Sequence, residues 1–495
     1  MSGHESRLLS GRILASSALW SLAAQALPAI VGLVTIPFIV RGLGVERFGV
    51  LTLAWMVIGY FSLFDMGLGR AVTKLAAEFV VSTERSRFNQ LVWTAWYLML
   101  GLGIAGALVL AIIAPWLVRT AIKVPVALQG ETLQAFYLLA CSIPIVVLTT
   151  GFRGVLEAAQ HFKLTSLIKI PIGVLTFITP LFVLRFTPNL AAIVLALIIV
   201  RLFGALAYAV MCHRAAHVSP TPAPIDRPSA RTLLGLGAWM TVSNVVSPLM
   251  VSVDRFFIGA FMSIAAVAYY ATPFEAITKL LIVPSAIAAV VFPAFSTASV
   301  INRERMVVLF RTGLWVLFLS MYPIAFIIVT FAPDLLRLWL GSAFALQSTG
   351  ALRWLAVGVL MNSLASMPFA LLQGIGRSDT TARIHLVEAP LYLVLLVWLI
   401  NEYGITGAAI AWSARTTLDL ALLYWQTAQH LRAATAGWLR NIAIFTLLAT
   451  GLAVGVLLRT PMQKALVTLI LLISFGALAL ALANGRRARI ASVSE

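Results

Sequence analysis

Charged residues are scarce in this chain. Of its 495 residues, only 11% are Asp, Glu, Lys or Arg, whereas 61% are hydrophobic. A water-soluble globular protein carries about a quarter charged residues, so this chain has too few of them to cover a soluble surface of its size. The mean hydropathy of +1.00 predicts that lipid is the solvent for most of the chain.

Motifs of catalysis and metal binding are also lacking. Two cysteines, Cys141 and Cys212, cannot form a disulfide framework. No lysine follows a glycine, which excludes the phosphate-binding loop of ATPases and argues against direct ATP hydrolysis. Cys212 lies beside His213 and His217, but no second cluster completes a metal site, so a solvated linker is favoured. We therefore predict no catalytic residues and no metal.

Hydrophobic runs long enough to cross a bilayer recur along the whole chain, and no intervening segment could form a soluble domain. We predict an all-α polytopic membrane protein with about fourteen transmembrane helices. The predicted spans are 14–39, 48–69, 91–118, 133–155, 164–186, 189–212, 233–260, 265–295, 307–332, 350–372, 384–401, 405–428, 439–458 and 465–483.

The net charge of +18 is explained by topology rather than by a nucleic-acid partner. Fourteen spans place both termini on one side, where 22 Lys and Arg residues fall, against 8 on the other side. Cytoplasmic loops are enriched in basic residues. We therefore predict a multi-pass protein of a bacterial inner membrane with both termini in the cytoplasm, and no nucleic-acid partner.

A polar segment with four prolines divides the chain after the sixth span. The block after it echoes the first, since Trp20 and Gln25 recur as Trp239 and Asn244. Six spans per block would give two parallel repeats. We predict an N-terminal six-helix lobe (1–212), a cytoplasmic linker (213–232), a second six-helix lobe (233–430), and two extra helices with a basic tail (431–495).

Prolines and glycines inside the spans carry further information. Thirteen prolines lie within predicted spans, which favours helices that bend as a cavity opens and closes over a static bundle. Gly101, Gly103 and Gly106 match a dinucleotide-binding pattern. That pattern needs a preceding strand, whereas here it lies inside a span, so close helix packing is favoured.

Ionisable residues at membrane depth are candidates for function, because each costs several kcal/mol unless it meets a partner or a cavity. They are Asp65, Arg201, Asp254, Arg255, Glu275, Lys279, Arg353, Glu388, Arg415 and Asp419. Two pairs, Glu275–Lys279 and Arg415–Asp419, are spaced i,i+4, so they could be intrahelical ion pairs. Alternatively, these groups line a hydrated cavity, where cations attract phosphate and carboxylates take up an ion.

Four motifs are spread along the chain: RGLG at 41–44 with Phe48-Gly49, FDMGLGRA at 64–71, VDRFFIG at 253–259 with Tyr269-Tyr270, and QGIGR at 373–377. Together they resemble the bacterial polysaccharide and O-antigen flippases of the multidrug/oligosaccharidyl-lipid/polysaccharide exporter superfamily. The resemblance implies two six-helix lobes around a central cavity. It also implies alternating-access transfer of a polyprenyl-diphosphate-linked oligosaccharide from the inner to the outer leaflet.

The chemistry of the residues at membrane depth suggests roles within that activity, which the family motifs do not fix. We predict that Arg255, Lys279, Arg415 and Arg201 bind the diphosphate. We predict that Asp65, Asp254, Glu275 and Asp419 couple or gate transport, with H⁺ or Na⁺ as the coupling ion and no other cofactor. The expected partners are the lipid-linked oligosaccharide, membrane lipids and polysaccharide polymerase or export machinery.

Three alternatives remain open. A multidrug or small-molecule cation antiporter of the same superfamily would need a cavity dominated by acids, whereas five cations lie at membrane depth. A lipid-II-type flippase would share the mechanism but carry another sugar. A membrane glycosyl polymerase or ligase is expected to use a large outer loop, and the sequence predicts only short ones.

Overall fold

The computed structural model describes residues 11–61, 67–81, 85–301, 303–431, 451–458 and 460–491, and these residues form helices and no strand. The helices are α1 (Gly11–Leu43), α2 (Val45–Phe61), α3 (Leu68–Val81), α4 (Arg85–Trp116), α5 (Val126–Ala158), α6 (Phe162–Leu184), α7 (Leu190–Arg214), α8 (Arg227–Phe261), α9 (Ile264–Thr278), α10 (Ile282–Ile301), α11 (Arg303–Leu340), α12 (Ser342–Gly374), α13 (Ser378–His430) and α14 (Pro461–Ala491). A π turn, Leu117–Ala121, extends α4, and a 3₁₀ turn, Lys279–Leu281, joins α9 to α10.

The all-α polytopic membrane fold predicted from the sequence is confirmed. Within the described ranges, nine helical segments are long and apolar enough to cross a membrane, and further apolar helices accompany them. The predicted span 265–295 is built from α9, the 3₁₀ turn and α10. Most of the predicted span 439–458 lies outside the described residues, as do residues 62–66 of the predicted span 48–69.

Helix α13 is a hairpin of two antiparallel helices, corresponding to the predicted spans 384–401 and 405–428. The chain reverses at Gly404, whose φ of 59° and ψ of −137° are not helical. Glycine adopts a positive φ without a steric penalty. A Cβ at Gly407 would collide with the carbonyl oxygen of Leu399. This turn therefore needs glycine at both positions, because the two arms come so close there.

The chain divides into two compact units, Met1–Thr272 and Pro273–Glu495. In the first unit, α4 packs on α5, α1 on α6, and both α5 and α6 on α7. In the second unit, α12 packs against α10, α11 and α13, and α14 packs on α11. The predicted lobe boundaries at residues 213–232 stay a prediction.

One helix in each unit is far more buried than its neighbours. In the most apolar 18-residue window, 72% of α12 and 56% of α5 is buried, against 11% of α6. The outer helices instead expose large apolar side chains such as Ile112 and Val394, at 76% and 72%. Because lipid solvates such side chains, they form the expected outer surface of a membrane protein.

Glycines face prolines where neighbouring helices cross in the first unit. A Cβ placed on Gly103 would lie 2.6 Å from the Cα of Pro144, and one on Gly173 would lie 2.5 Å from Pro28. Small residues allow helix backbones to approach closely in membranes. The packing interpretation of the glycine pattern thus holds at Gly103, whereas Gly101 faces open space.

The segment between α7 and α8 lies against the start of α4. Ser219 donates its N–H to the side-chain oxygen of Asn89 (3.0 Å), and its carbonyl accepts from the Trp93 indole (3.1 Å). Asp226 then caps α8 by accepting from the N–H of Ser229 (2.9 Å), as N-cap residues do. Hydrogen bonds from the side chain and the backbone N–H of Ser229 lower the pKa of Asp226. The proline-rich linker is therefore anchored at both ends.

We predict that Gly103→Ala destabilises the protein by about 1–3 kcal/mol, the usual cost of overpacking, because α4 and α5 must separate. Gly101→Ala, two residues away in the same helix, meets no neighbour and serves as the matched control. Thermal unfolding of the purified protein in detergent measures both. Equal melting temperatures for the two variants would contradict the role of this crossing.

Candidate functional site

Four ionisable side chains meet between the two arms of α13. Glu388 is fully buried, and its Oε2 lies 3.8 Å from Nε of Arg415, which is 8% exposed. The Oδ1 atom of Asp419, which is 6% exposed, lies 3.5 Å from Nε2 of His385. We call His385, Glu388, Arg415 and Asp419 the hairpin cluster.

The sequence spacing explains why these four side chains converge. His385 and Glu388 are separated by three residues on the first arm, and Arg415 and Asp419 by four on the second. Both separations place side chains on one helix face. The reversal at Gly404 then brings the two faces together, so that Glu388 meets Arg415 and His385 meets Asp419 across the hairpin.

Aromatic rings surround the hairpin cluster. Phe369 of α12 lies parallel to the His385 ring, with centroids 6.1 Å apart and an interplanar angle of 13°. The guanidinium carbon of Arg415 lies 6.0 Å from the centroid of Tyr392, within the range of a cation–π contact. The cluster is therefore shielded by apolar surfaces, which strengthen electrostatic interactions inside it.

The Glu388–Arg415 and His385–Asp419 contacts are at ion-pair rather than hydrogen-bond distances. Both carboxylate oxygens of Glu388, Nε of Arg415 and Oδ1 of Asp419 are buried and have no hydrogen-bond partner among the described residues. Buried polar groups are normally hydrogen-bonded. Such a group of unsatisfied atoms is therefore a candidate for binding an ion.

The structure decides how Arg415 and Asp419 are paired. Their i,i+4 spacing was compatible with an ion pair along the helix. Instead, the contacts within 4 Å run across the hairpin, from Arg415 to Glu388 and from Asp419 to His385. The predicted roles of Arg415 in diphosphate binding and of Asp419 in coupling stay predictions.

A second buried carboxylate, Asp254 of α8, lies in the first unit. It is fully buried and accepts a hydrogen bond from the hydroxyl of Tyr270 on α9 at 2.6 Å. It also accepts from the backbone N–H of Arg255 at 2.8 Å. Arg255 itself is 4% exposed. The VDRFFIG segment is thus tied to the following Tyr269-Tyr270 pair through one carboxylate.

The predicted pair Glu275–Lys279 forms, with 3.3 Å between Oε2 and Nζ. Its side chains are half exposed, at 47% and 53%, in contrast to the buried hairpin cluster. Lys279 begins the 3₁₀ turn between α9 and α10. Its ammonium is therefore the most accessible among the described cations to which we assigned diphosphate binding.

The remaining predicted residues are placed separately. Arg201 lies midway along α7 and is partly exposed. Arg201 and Arg255 belong to the first unit, and Lys279 and Arg415 to the second. Asp65 lies outside the described residues.

Two contributing residues, His385 and Tyr270, had no predicted role. His385 lies three residues before Glu388 in a predicted span, and Glu388 itself had been noted without a role. The sequence signal for His385 was its three-residue spacing from Glu388, together with the i,i+4 pair on the next predicted span. A very short loop joins these two spans. Tyr270 offered no such signal, because a tyrosine in a span is ordinary.

Solved membrane transporters share this fold. An inward-facing multidrug resistance MATE family transporter of the MOP superfamily aligns with a TM-score of 0.71 and 17% identity, covering 84% of this chain and 95% of that chain. The lipid II flippase MurJ, in an inward closed conformation, aligns with a TM-score of 0.70 and 12% identity, covering 93% and 98%. The chain is thus a multi-pass membrane protein of this transporter fold.

Sequence comparison identifies the family. Residues 38–349 match the family described as "Polysaccharide biosynthesis protein". A Shigella flexneri protein named "Putative O-antigen transporter" is 32% identical over 410 residues, which cover 83% of this chain and 96% of that protein. The chain belongs to the polysaccharide biosynthesis protein family.

We predict that Arg415→Met destabilises the protein by about 3–5 kcal/mol, because it leaves buried carboxylates without their cation. Arg383→Met, at an arginine whose side chain is 81% exposed, should cost less than about 0.5 kcal/mol. Free energies of unfolding in detergent measure both.

The double variant Glu388→Gln with Arg415→Met should recover part of the loss, because both charges are then removed. If Arg415→Met were no more destabilising than Arg383→Met, the ion pair would have no energetic role.

Proposed function

We propose that this protein is a flippase, and not an enzyme, that moves a polyprenyl-diphosphate-linked oligosaccharide from the inner to the outer leaflet by alternating access. The product would serve cell-surface polysaccharide export. The observation that carries the proposal is family membership: a relative named as an O-antigen transporter matches 83% of this chain, and the chain has a multi-pass transporter fold.

The physical need for such a protein is clear. Sugars and a diphosphate lose their hydrogen bonds to water when they enter hydrocarbon, and each unpaired polar group costs several kcal/mol. A polar pathway through the protein replaces that hydration while the polyprenyl tail remains in lipid.

An anionic headgroup requires cations that it can reach. Lys279 is half exposed and is balanced only partly by a half-exposed Glu275, so exchange of this partner for a phosphate is inexpensive. Arg255 and Arg201 are proposed as further ligands in the first unit. Arg415 contacts Glu388 and would have to leave that carboxylate to bind a diphosphate.

Coupling to an ion gradient completes the proposal. Asp65, Asp254, Glu275 and Asp419 are the proposed coupling or gating carboxylates, with H⁺ or Na⁺ as the ion. We place the protein in a bacterial inner membrane with both termini in the cytoplasm. A polysaccharide polymerase or export complex is the proposed downstream partner.

The fold alone does not choose the cargo, because a multidrug transporter and a lipid II flippase both share it. The family favours a glycan, and the five cations at membrane depth favour an anionic headgroup.

We predict that the purified protein in vesicles moves a fluorescent polyprenyl-diphosphate oligosaccharide between leaflets, measured by its accessibility to an impermeant quencher. Arg255→Ala with Lys279→Ala should slow transfer at least roughly tenfold, because charge-assisted phosphate contacts are worth about 1.5–3 kcal/mol each. Arg383→Ala removes an exposed cation and is the control.

No transfer by the wild-type protein would refute the flippase proposal, and full transfer by the double variant would refute these ligands. Faster transport of an organic cation or of lipid II in the same vesicles would favour the corresponding alternative.

We predict that, if Glu275 exchanges a proton during transport, Glu275→Gln removes the pH dependence of the transfer rate, because glutamine does not titrate. The quencher assay repeated between pH 5 and pH 8 measures this. A pH profile identical to that of the wild-type protein would exclude proton exchange at Glu275.

A further inference from the structure

We propose that the hairpin cluster is a proton-binding site that takes up one proton between His385 and Asp419. Its use in coupling rests on the proposed flippase function, but the binding of a proton does not.

The charge balance of the cluster requires one further positive charge. Arg415 is always protonated, and it can neutralise one of two carboxylates, Glu388 and Asp419, which are 0% and 6% exposed. With a neutral imidazole, the four side chains carry one net negative charge away from water. An uncompensated buried charge costs several kcal/mol, so the cluster favours uptake of a single positive charge.

The geometry indicates where that charge is taken up. Oδ1 of Asp419 has no hydrogen-bond partner among the described residues, and Nε2 of His385 lies 3.5 Å away. One ligand atom each from His385, Glu388 and Asp419 lie within 4.8 Å of one another. A proton on the imidazole converts its contact with Asp419 into a charge-assisted pair, and Arg415 remains on Glu388.

The donor set suits a proton better than a metal ion. Sodium, magnesium and calcium prefer oxygen ligands, and here one of three donors is an imidazole. A divalent transition metal would lie within a few ångströms of the Arg415 guanidinium, which repels it. Imidazole is the side chain that ordinarily gains a proton between pH 5 and pH 8.

Among the residues that the structure describes, the elements packed against the hairpin add no competing charge at the cluster. The one ionisable side chain of α12 is Arg353, whose Nε donates to the carbonyl of Val329 on α11 at 3.1 Å. Two other helices touch α13 through aromatic rings, α9 by Phe274 against Trp412 and α11 by Phe310 against Tyr424.

The ionisable side chains nearest to those two aromatic contacts are engaged or exposed. Glu275 pairs with Lys279, and Arg311 is exposed. Among the described residues, the charged groups that act on His385 are therefore Glu388, Arg415 and Asp419.

The test follows His385 directly in the full-length protein, labelled with ¹⁵N-histidine and reconstituted in lipid nanodiscs. His385→Gln assigns its signal among the six histidines. We expect the chemical shift of this signal to respond to pH in the wild-type protein, and Asp419→Asn to weaken proton binding at His385 by about tenfold or more, the usual effect of removing an opposite charge at this distance. Glu402→Gln, an exposed carboxylate at the far end of the same arm, should leave proton binding unchanged.

Absence of titration at His385, or unchanged proton binding in Asp419→Asn, would overturn the proposal. If Asp419→Asn does not fold, Glu388→Gln replaces it, since it also removes one negative charge and should weaken proton binding. A His385 signal that responds to added Na⁺ or Zn²⁺ at fixed pH, without a proton midpoint, would show that the site binds a metal ion and not a proton.

The vesicle assay separates this inference from the proposed function. Normal titration of His385 without lipid transfer by the wild-type protein would refute the flippase and keep the proton site. Lipid transfer by the wild-type protein without titration of His385 would refute the proton site and keep the flippase. If both hold, Asp419→Asn should change the pH dependence of transfer.

Discussion

The structure depends on one constraint: hydrocarbon offers no hydrogen-bond partners, so each polar group must find one within the protein. Helices satisfy the backbone along their length. Hydroxyl side chains within helices bond to carbonyls of the preceding turn, as Thr52 does to Gly49 (2.7 Å) and Ser363 to Val359 (2.6 Å). Where the backbone must reverse in α13, a glycine takes the turn and leaves both arms helical.

The same constraint determines how charges are placed. Pairs link helices that are distant in sequence: Arg47 contacts Glu131 at 3.1 Å, and Lys464 of α14 contacts Asp334 of α11. The second pair fastens the C-terminal helix to its unit. The hairpin cluster differs because its charges do not balance with a neutral histidine, and that imbalance distinguishes a candidate for function from a structural ion pair.

Helix packing in lipid depends on shape, because apolar side chains gain little free energy when they move from lipid into an equally apolar protein interior. Gly103 against Pro144 and Gly173 against Pro28 combine a missing side chain with a residue that lacks a backbone N–H. The Gly103 crossing brings its helix against the backbone of Pro144, and the Gly173 crossing brings its helix against the ring of Pro28. Each of these prolines therefore faces a position where the neighbouring helix has no side chain.

The sequence by itself determined the solvent, the helical class and the approximate spans, because those follow from the length and hydrophobicity of each run. It also indicated that Glu275 and Lys279 could pair, which they do, although the same i,i+4 spacing of Arg415 and Asp419 did not lead to a pair. Only the tertiary structure decided that Arg415 meets Glu388, that Asp419 meets His385, and that Asp254 meets Tyr270. Those partners lie on different helices or arms, and the turn and packing that join them set distances of a few ångströms that no periodicity encodes.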